Sequence, residues 1–200
     1  IVELEARHGQ LAWLVVRALE ERLADEEPSD APDWCYVLTS SSEDRLTDWL
    51  RHPRLRPLFE SGRLDVARFD PTEEDRLTLH RSGRRLAPLK MTTPAVFLAA
   101  GLLETLPQDV LRIRDGRLER GLVTVHLQEG EDVQPPSFER LRWDWAFDRV
   151  APGGAYRDDN LSHLLDKRLR RGGEGAFALP VAGLELLYNL QSLGRRGMML

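Results

Sequence analysis

The chain has 200 residues, of which 42% are apolar and 30% charged, and its formal net charge is −5. These values are typical of a globular domain and argue against nucleic acid or an anionic membrane surface as the main partner. No run approaches the roughly 18 apolar residues of a membrane span. The single cysteine, Cys35, excludes a disulfide framework and a cysteine metal site. We therefore expect a cytoplasmic protein that binds neither nucleic acid nor membrane.

The first half of the chain alternates short apolar runs with helical segments. Residues 1–4 predict a buried strand that runs into a helix, whose apolar side chains recur at helical spacing between Leu11 and Leu23. A second apolar run, 34–39, precedes a helix that Ser42 or a neighbouring serine caps. Residues 64–70 and 95–100 predict the third and fourth strands. This rhythm predicts a doubly wound, mostly parallel α/β sheet.

Past Pro107 the pattern becomes antiparallel. Residues 110–114 and 118–127 flank Asp115-Gly116, a dipeptide preferred in tight hairpin turns, and predict a hairpin inserted beside the parallel sheet. Short helices are predicted over 161–169 and around Leu184–Leu190, and residues 198–200 are typical of the start of another strand. The aromatic run 143–147 fits two interpretations, either a cover for one edge of the core or an apolar patch for a partner.

Ligands of doubly wound sheets bind beyond the carboxyl ends of the strands, where this chain carries few suitable groups. The turn after the first strand holds Glu5 and Arg7 where glycines would let the backbone approach a ligand, and only Gly9 remains. The second strand ends in neutral Ser40, whereas the third keeps an acid, Asp70. The fourth strand is followed by a segment in which polar groups are sparse: Ala100, Gly101 and Glu104.

Five stretches of the chain carry a family resemblance: IVEL…G, YVLTSSSEDRLTDWLRHPRLRPLFESGRLDVARFD, LHRSGRRLAP, LPQDVLRIRDGRLERGLVTV and ALPVAGLELLYNLQSL. In this order they resemble the bacterial SAM-dependent methyltransferases related to the mitochondrial complex I assembly factor that methylates arginine. The resemblance implies a Rossmann-like class I methyltransferase domain over residues 1–200, as a fragment without the last strands. It also implies SAM held by the first turn and by acids that end strands two and three.

The departures from the family pattern fall at the cofactor positions. Where the family resembles V-E-L-G-A-G-S-G, this chain has Glu5 and Arg7 at two of the glycines. Ser40 replaces the acid after strand two, while Ala100 and Gly101 replace an asparagine and a polar or aromatic residue after strand four. We interpret this group as a degenerate pocket. We further expect Glu5 to pair with Arg7 or His8 and so to plug the pocket, because a buried unpaired carboxylate costs several kcal/mol.

Two functions remain open at this point. The substitutions favour a pseudo-methyltransferase without cofactor or catalytic residues, acting as a protein-interaction or structural module whose partner is another protein or a second copy. The alternative is an active SAM-dependent protein methyltransferase with an atypical site. The residues that would contact SAM if it is bound are Glu3, Gly9, Ser40, Asp70 and Glu104. The five histidines have no spacing suited to metal ligation, so no metal site is predicted.

Overall fold

The computed structural model describes residues 1–25, 32–70, 73–87, 94–127, 138–151, 156, 158–193 and 197–199. The chain, treated as one domain on sequence grounds, divides into two compact units. Unit 1 comprises residues 1–106 and 182–200, and unit 2 comprises the intervening residues 107–181. Unit 2 is thus inserted into the sequence of unit 1.

The centre of unit 1 is a five-stranded sheet in which every neighbouring pair of strands is parallel. Its order is β11-β6-β1-β2-β3, so the strand order reverses at β1. The strands are β1 (Val2–Glu3), β2 (Tyr36–Ser40), β3 (Leu64–Arg68), β6 (Ala95–Leu98) and β11 (Gly197–Met199). A separate two-stranded antiparallel pair consists of β4 (Leu77–Thr78) and β5 (Arg85–Leu86). The predicted parallel strands are confirmed with different bounds. β1 and β6 are shorter than the predicted runs 1–4 and 95–100, β2 begins two residues later than predicted, and β3 ends before Phe69. Leu200 lies outside the described residues.

Apolar side chains cover both faces of the parallel sheet. One face packs against helices through a buried cluster that includes Val16, Tyr36 and Trp49. The helices there are α1 (Gln10–Leu23), α2 (Glu43–Arg51) and α3 (Arg56–Glu60). The other face packs against α5 (Val181–Leu193), which buries Leu186 and Leu190 against the sheet. Because both faces are covered, all five residues of β2 are buried, which explains the continuous apolar run in the sequence.

Unit 2 contains a four-stranded antiparallel sheet of order β10-β7-β8-β9. The strands are β7 (Asp109–Arg114), β8 (Arg117–Leu127), β9 (Leu141–Arg149) and β10 (Gly175–Leu179). The predicted hairpin is confirmed as β7 and β8, and both turn residues, Asp115 and Gly116, have positive φ. The core of this unit joins Leu111, Ile113 and Leu118 to Leu165 of α4 (Asp159–Arg170).

The helices show local reasons for their positions and composition. In the described part of the chain, no helix is long and apolar enough to cross a membrane. Asp158 caps the N-terminus of helix α4, and its carboxylate accepts hydrogen bonds from the backbone N–H groups of Asn160 and Leu161. The thiol of Cys35 is half-buried against the sheet core, and burial raises its pKa, as suits a structural rather than a reactive cysteine.

Candidate functional site

The turn after β1 keeps the backbone shape of a glycine turn without the glycine. Glu5 has a φ of 47°, in the left-handed region. A residue with a Cβ in that region costs roughly 1–2 kcal/mol, because the Cβ approaches the following carbonyl oxygen. Glycine would adopt this conformation without that cost, so the contacts of the Glu5 side chain are the local interactions that can offset the strain.

The Glu5 carboxylate reaches across the turn to the carboxyl end of β2. One oxygen accepts a hydrogen bond from the Ser41 backbone N–H at 2.7 Å, and the other accepts one from the Ser40 hydroxyl at 3.2 Å. Arg45 of α2 lies 3.9 Å from the second oxygen and donates to the Ala6 carbonyl at 3.2 Å. The carboxylate thus joins the first turn, the end of β2 and α2 in one polar cluster.

The expectation that Glu5 pairs with Arg7 or His8 is wrong. Both of those residues are exposed, and the cation beside the Glu5 carboxylate is Arg45. Arg7 contributes through its backbone instead, because its carbonyl accepts a hydrogen bond from the Trp49 indole at 3.2 Å. The Glu5 side chain is 24% exposed and is hydrogen-bonded within the protein.

Ser40, the neutral residue that ends β2, is buried. Its hydroxyl donates to Glu5 and accepts from the Ser42 backbone N–H at 3.2 Å. Only 1% of Ser40 is exposed, so a ribose could reach this hydroxyl only if neighbouring groups moved. The adjacent Thr39 hydroxyl donates to the Glu3 carbonyl at 2.8 Å and ties β2 to β1.

Glu3 lies inside unit 1. Only 7% of Glu3 is exposed, and its carboxylate accepts a hydrogen bond from the Tyr36 hydroxyl at 2.8 Å. Burial raises the pKa of Glu3, an effect that the Tyr36 hydrogen bond partly opposes. Burial and the neighbouring carboxylate together raise the pKa of Tyr36, so that its hydroxyl remains a donor. This pair has an evident role in holding β1 against β2.

Gly9 is favoured by its backbone conformation, and a larger residue here would also require the Leu55 side chain to shift. It precedes α1 with a φ of 70°, and a Cβ at this position would lie 2.8 Å from Leu55 Cδ1. A cavity of about 350 Å³ opens beside it. The residues that line this cavity are His8, Gly9, Gln10, Trp13, Leu14, His52, Arg54 and Leu55.

Asp70 follows β3 in a tight polar turn. Its backbone N–H donates to the Glu74 carboxylate at 2.7 Å, and its carbonyl accepts hydrogen bonds from the backbone N–H groups of Glu73 and Glu74. Glu74 also pairs with Arg68 at 2.7 Å. Asp70 is half-buried.

The segment after β6 offers no polar side chain from Ala99 to Leu103. Ala100 and Gly101 are exposed, with Gly101 at a φ of 70°, and Leu102 turns back into the core. Glu104 is exposed on the same segment. The Leu4 N–H donates to the Leu98 carbonyl at 2.8 Å, so the end of β6 lies beside the first turn.

Two further polar residues were missed on sequence grounds. One is Arg45, and the other is Asp65 of β3, which is only 3% exposed. The Asp65 carboxylate accepts hydrogen bonds from the backbone N–H groups of Val66, Arg81 and Ser82 at 2.8–3.0 Å. An acid in the middle of an apolar strand, followed by a Ser-Gly turn, is the signal that could have identified this anchor.

The comparisons with known proteins add no relative. No protein-family model, no curated protein and no solved structure matches the chain. Within the described residues, no group of three or more histidine, cysteine, aspartate or glutamate side chains could hold a metal ion. The structure itself therefore defines the class: a mixed α/β protein in which a carboxylate occupies the turn after the first strand of a mostly parallel sheet.

Proposed function

We propose that this chain is a methyltransferase-like domain that has lost SAM binding and that acts as a protein-interaction or structural module. The observation that carries the proposal is the Glu5 carboxylate, bound to Ser41 and Ser40 at the carboxyl ends of β1 and β2. The strand order supports the Rossmann-like part of the proposal, because the order reverses at β1 as in doubly wound sheets.

The chemistry of SAM explains why this arrangement opposes binding. SAM presents a carboxylate and a ribose diol, which need backbone N–H donors in the first turn and an acid after strand two. Here Glu5 brings a negative charge into the first turn and already uses the Ser41 N–H. At the position where an acidic side chain would bind the ribose, this chain has Ser40, which is neutral and buried. A cofactor would have to displace charge-assisted hydrogen bonds and would regain fewer of them.

The second candidate is an active SAM-dependent protein methyltransferase with an atypical site. Two observations favour it: the left-handed backbone of the first turn is retained, and Asp70 still follows β3. In this candidate Gly9, Asp70 and exposed Glu104 would contact SAM, and the buried Glu3 would support the first turn.

Calorimetric titration with S-adenosylhomocysteine separates the two functions. For the natural chain we expect no heat of binding at millimolar ligand, whereas micromolar affinity would overturn the loss of SAM binding. The variant E5G/R7G/S40D restores both family glycines and the acid, and we expect it to gain measurable affinity. The control E60Q removes an exposed carboxylate on α3, away from this turn, and should leave the titration unchanged.

A further inference from the structure

The sheet of unit 2 ends in a two-stranded ribbon with a free edge. β7 pairs with β8 only at residues 117–120, whereas β8 and β9 remain paired out to Leu127 and Leu141. β9 is one of the two edge strands of this sheet, the other being β10, and no described strand pairs with its outer side. A nine-residue edge strand is a template for another strand.

One face of the ribbon is apolar and exposed. The side chains that share this face follow from the register, in which Trp145 is opposite Val123 and Trp143 is opposite Val125. Trp143 is 63% exposed and Trp145 is 50% exposed. The sequence left two interpretations of the aromatic run. The structure supports an exposed apolar patch and does not support a cover for one edge of the core. Phe147 is half-buried, and the Arg112 guanidinium stacks over its ring at 3.7 Å.

The backbone of β9 directs its odd-numbered residues toward the free edge. The Val150 N–H donates to the Leu118 carbonyl at 3.0 Å, and the register of β8 and β9 continues from this pair without a bulge. Antiparallel partners alternate between pairs that exchange both hydrogen bonds and pairs that exchange none. Even-numbered residues of β9 therefore bond to β8, while Trp143, Trp145 and Phe147 present their N–H and C=O groups outward.

We propose that the chain forms a two-fold symmetric dimer in which β9 pairs antiparallel with β9 of a second copy. The pairing is centred on Trp145 and joins two four-stranded sheets into one of eight strands. This register places Arg142 opposite Asp148 of the other copy at both ends, and Trp143 opposite Phe147. The proposal rests on the proposed interaction function and names its partner.

The charges on β9 select this register over its neighbours. Moving the centre to residue 144 places Asp144 opposite its own copy, and moving it to residue 146 places Asp144 opposite Asp148. Like charges directly opposite each other destabilise a strand pair, whereas opposite charges stabilise it. A register in which the numbers of two paired residues add up to an odd value fails as well. It places a residue with outward N–H and C=O groups opposite a residue whose groups already bond to β8.

Sedimentation velocity on the natural chain and on two charge variants tests the dimer. We expect a dimer at micromolar concentration. R142E brings two negative charges together at each end of the interface and should weaken self-association by at least about tenfold. D148R should do the same with two positive charges. A mixture of R142E and D148R restores opposite charges at both ends, so the mixture should form a heterodimer that neither variant forms with itself.

A matched control and a check of folding accompany these charge variants. R114E makes the same charge change on β7, away from the free edge, and should remain dimeric. D148R places a second cation opposite Arg120 of β8, so circular dichroism must show that it folds. If it does not fold, W145P replaces it, since proline removes an outward N–H that the dimer needs and β8 does not.

A monomeric natural chain, or a dimer that R142E leaves intact, would overturn this assignment. A monomer that also fails to bind S-adenosylhomocysteine refutes the dimer alone. Ligand binding at micromolar affinity refutes the loss of SAM binding whatever the oligomeric state. Capture of a different protein by a monomeric chain would assign the apolar face to that partner, against the dimer proposed here.

Discussion

Two substitutions at Glu5 test how its carboxylate and its strained backbone each affect stability. E5A removes the carboxylate and keeps a Cβ in the left-handed backbone, while E5G removes the carboxylate and the strain together. Both variants lose the hydrogen bonds from Ser41 and Ser40 and the ion pair with the neighbouring Arg45. The difference between them combines the relief of backbone strain with the larger conformational entropy that glycine loses on folding.

The expected magnitudes follow from these contacts. Hydrogen bonds to a charged group contribute about 1.5–3 kcal/mol, and the partly exposed carboxylate places Glu5 at the lower end of that range. We expect E5A to lower the free energy of unfolding by about 2 kcal/mol. Glycine tolerates positive φ without a Cβ clash, so E5G should recover about 1 kcal/mol of that loss.

Urea denaturation followed by tryptophan fluorescence measures both values, because Trp49 donates to the Arg7 carbonyl beside this turn. E5Q serves as the control that keeps the side-chain shape and removes the charge. A greater loss of stability in E5G than in E5A would refute the left-handed strain at this residue, because the entropy cost of glycine would then exceed any strain relieved. If neither variant changed the free energy of unfolding, the carboxylate would not hold the end of β2.

Three further predictions concern buried groups of unit 1. Burial raises the pKa of Glu3 above its ordinary value of 4.5, so the folded state binds the proton more tightly than the unfolded state. The stability of the natural chain relative to E3Q should thus be greatest below pH 4.5 and should be lost as pH rises through the raised pKa, as thermal unfolding across pH would show. In the natural chain the backbone N–H groups of residues 81 and 82 donate to the Asp65 carboxylate, and D65N places an amide N–H donor against them. D65N should therefore lower the free energy of unfolding by about 2–4 kcal/mol and speed amide hydrogen exchange at residues 81 and 82. G9A meets both positive φ and a methyl group 2.8 Å away, so urea denaturation should show a loss of about 2–4 kcal/mol, and an unchanged midpoint would contradict the close packing.

The parallel strands and the hairpin could be predicted because their signals are local. Buried runs such as 34–39 and the Asp115-Gly116 turn are encoded within a few residues. The partner of Glu5 could not be predicted in this way. Arg45 lies on α2, and only the packing of that helix brings its guanidinium to the first turn.

The exposure of the aromatic strand β9 was undecided for a related reason. Alternation of apolar and polar residues shows that one face of a strand is apolar, but it does not show whether anything covers that face. The short strands β4, β5 and β10 escaped sequence analysis because they are brief or include glycine, and the partner of β10 is the distant strand β7.

The position of unit 2 between β6 and β11 has a consequence for the order of folding. β11 reaches its place beside β6 only after the whole insertion has been synthesised, since Gly197 pairs with Ala95 across it. A flexible loop of that length would carry a large closure entropy, whereas a folded insertion holds its two ends at a fixed separation and reduces that entropy. The parallel sheet up to β6 can therefore form early, and the docking of β11 becomes a late step whose rate depends on how fast unit 2 folds.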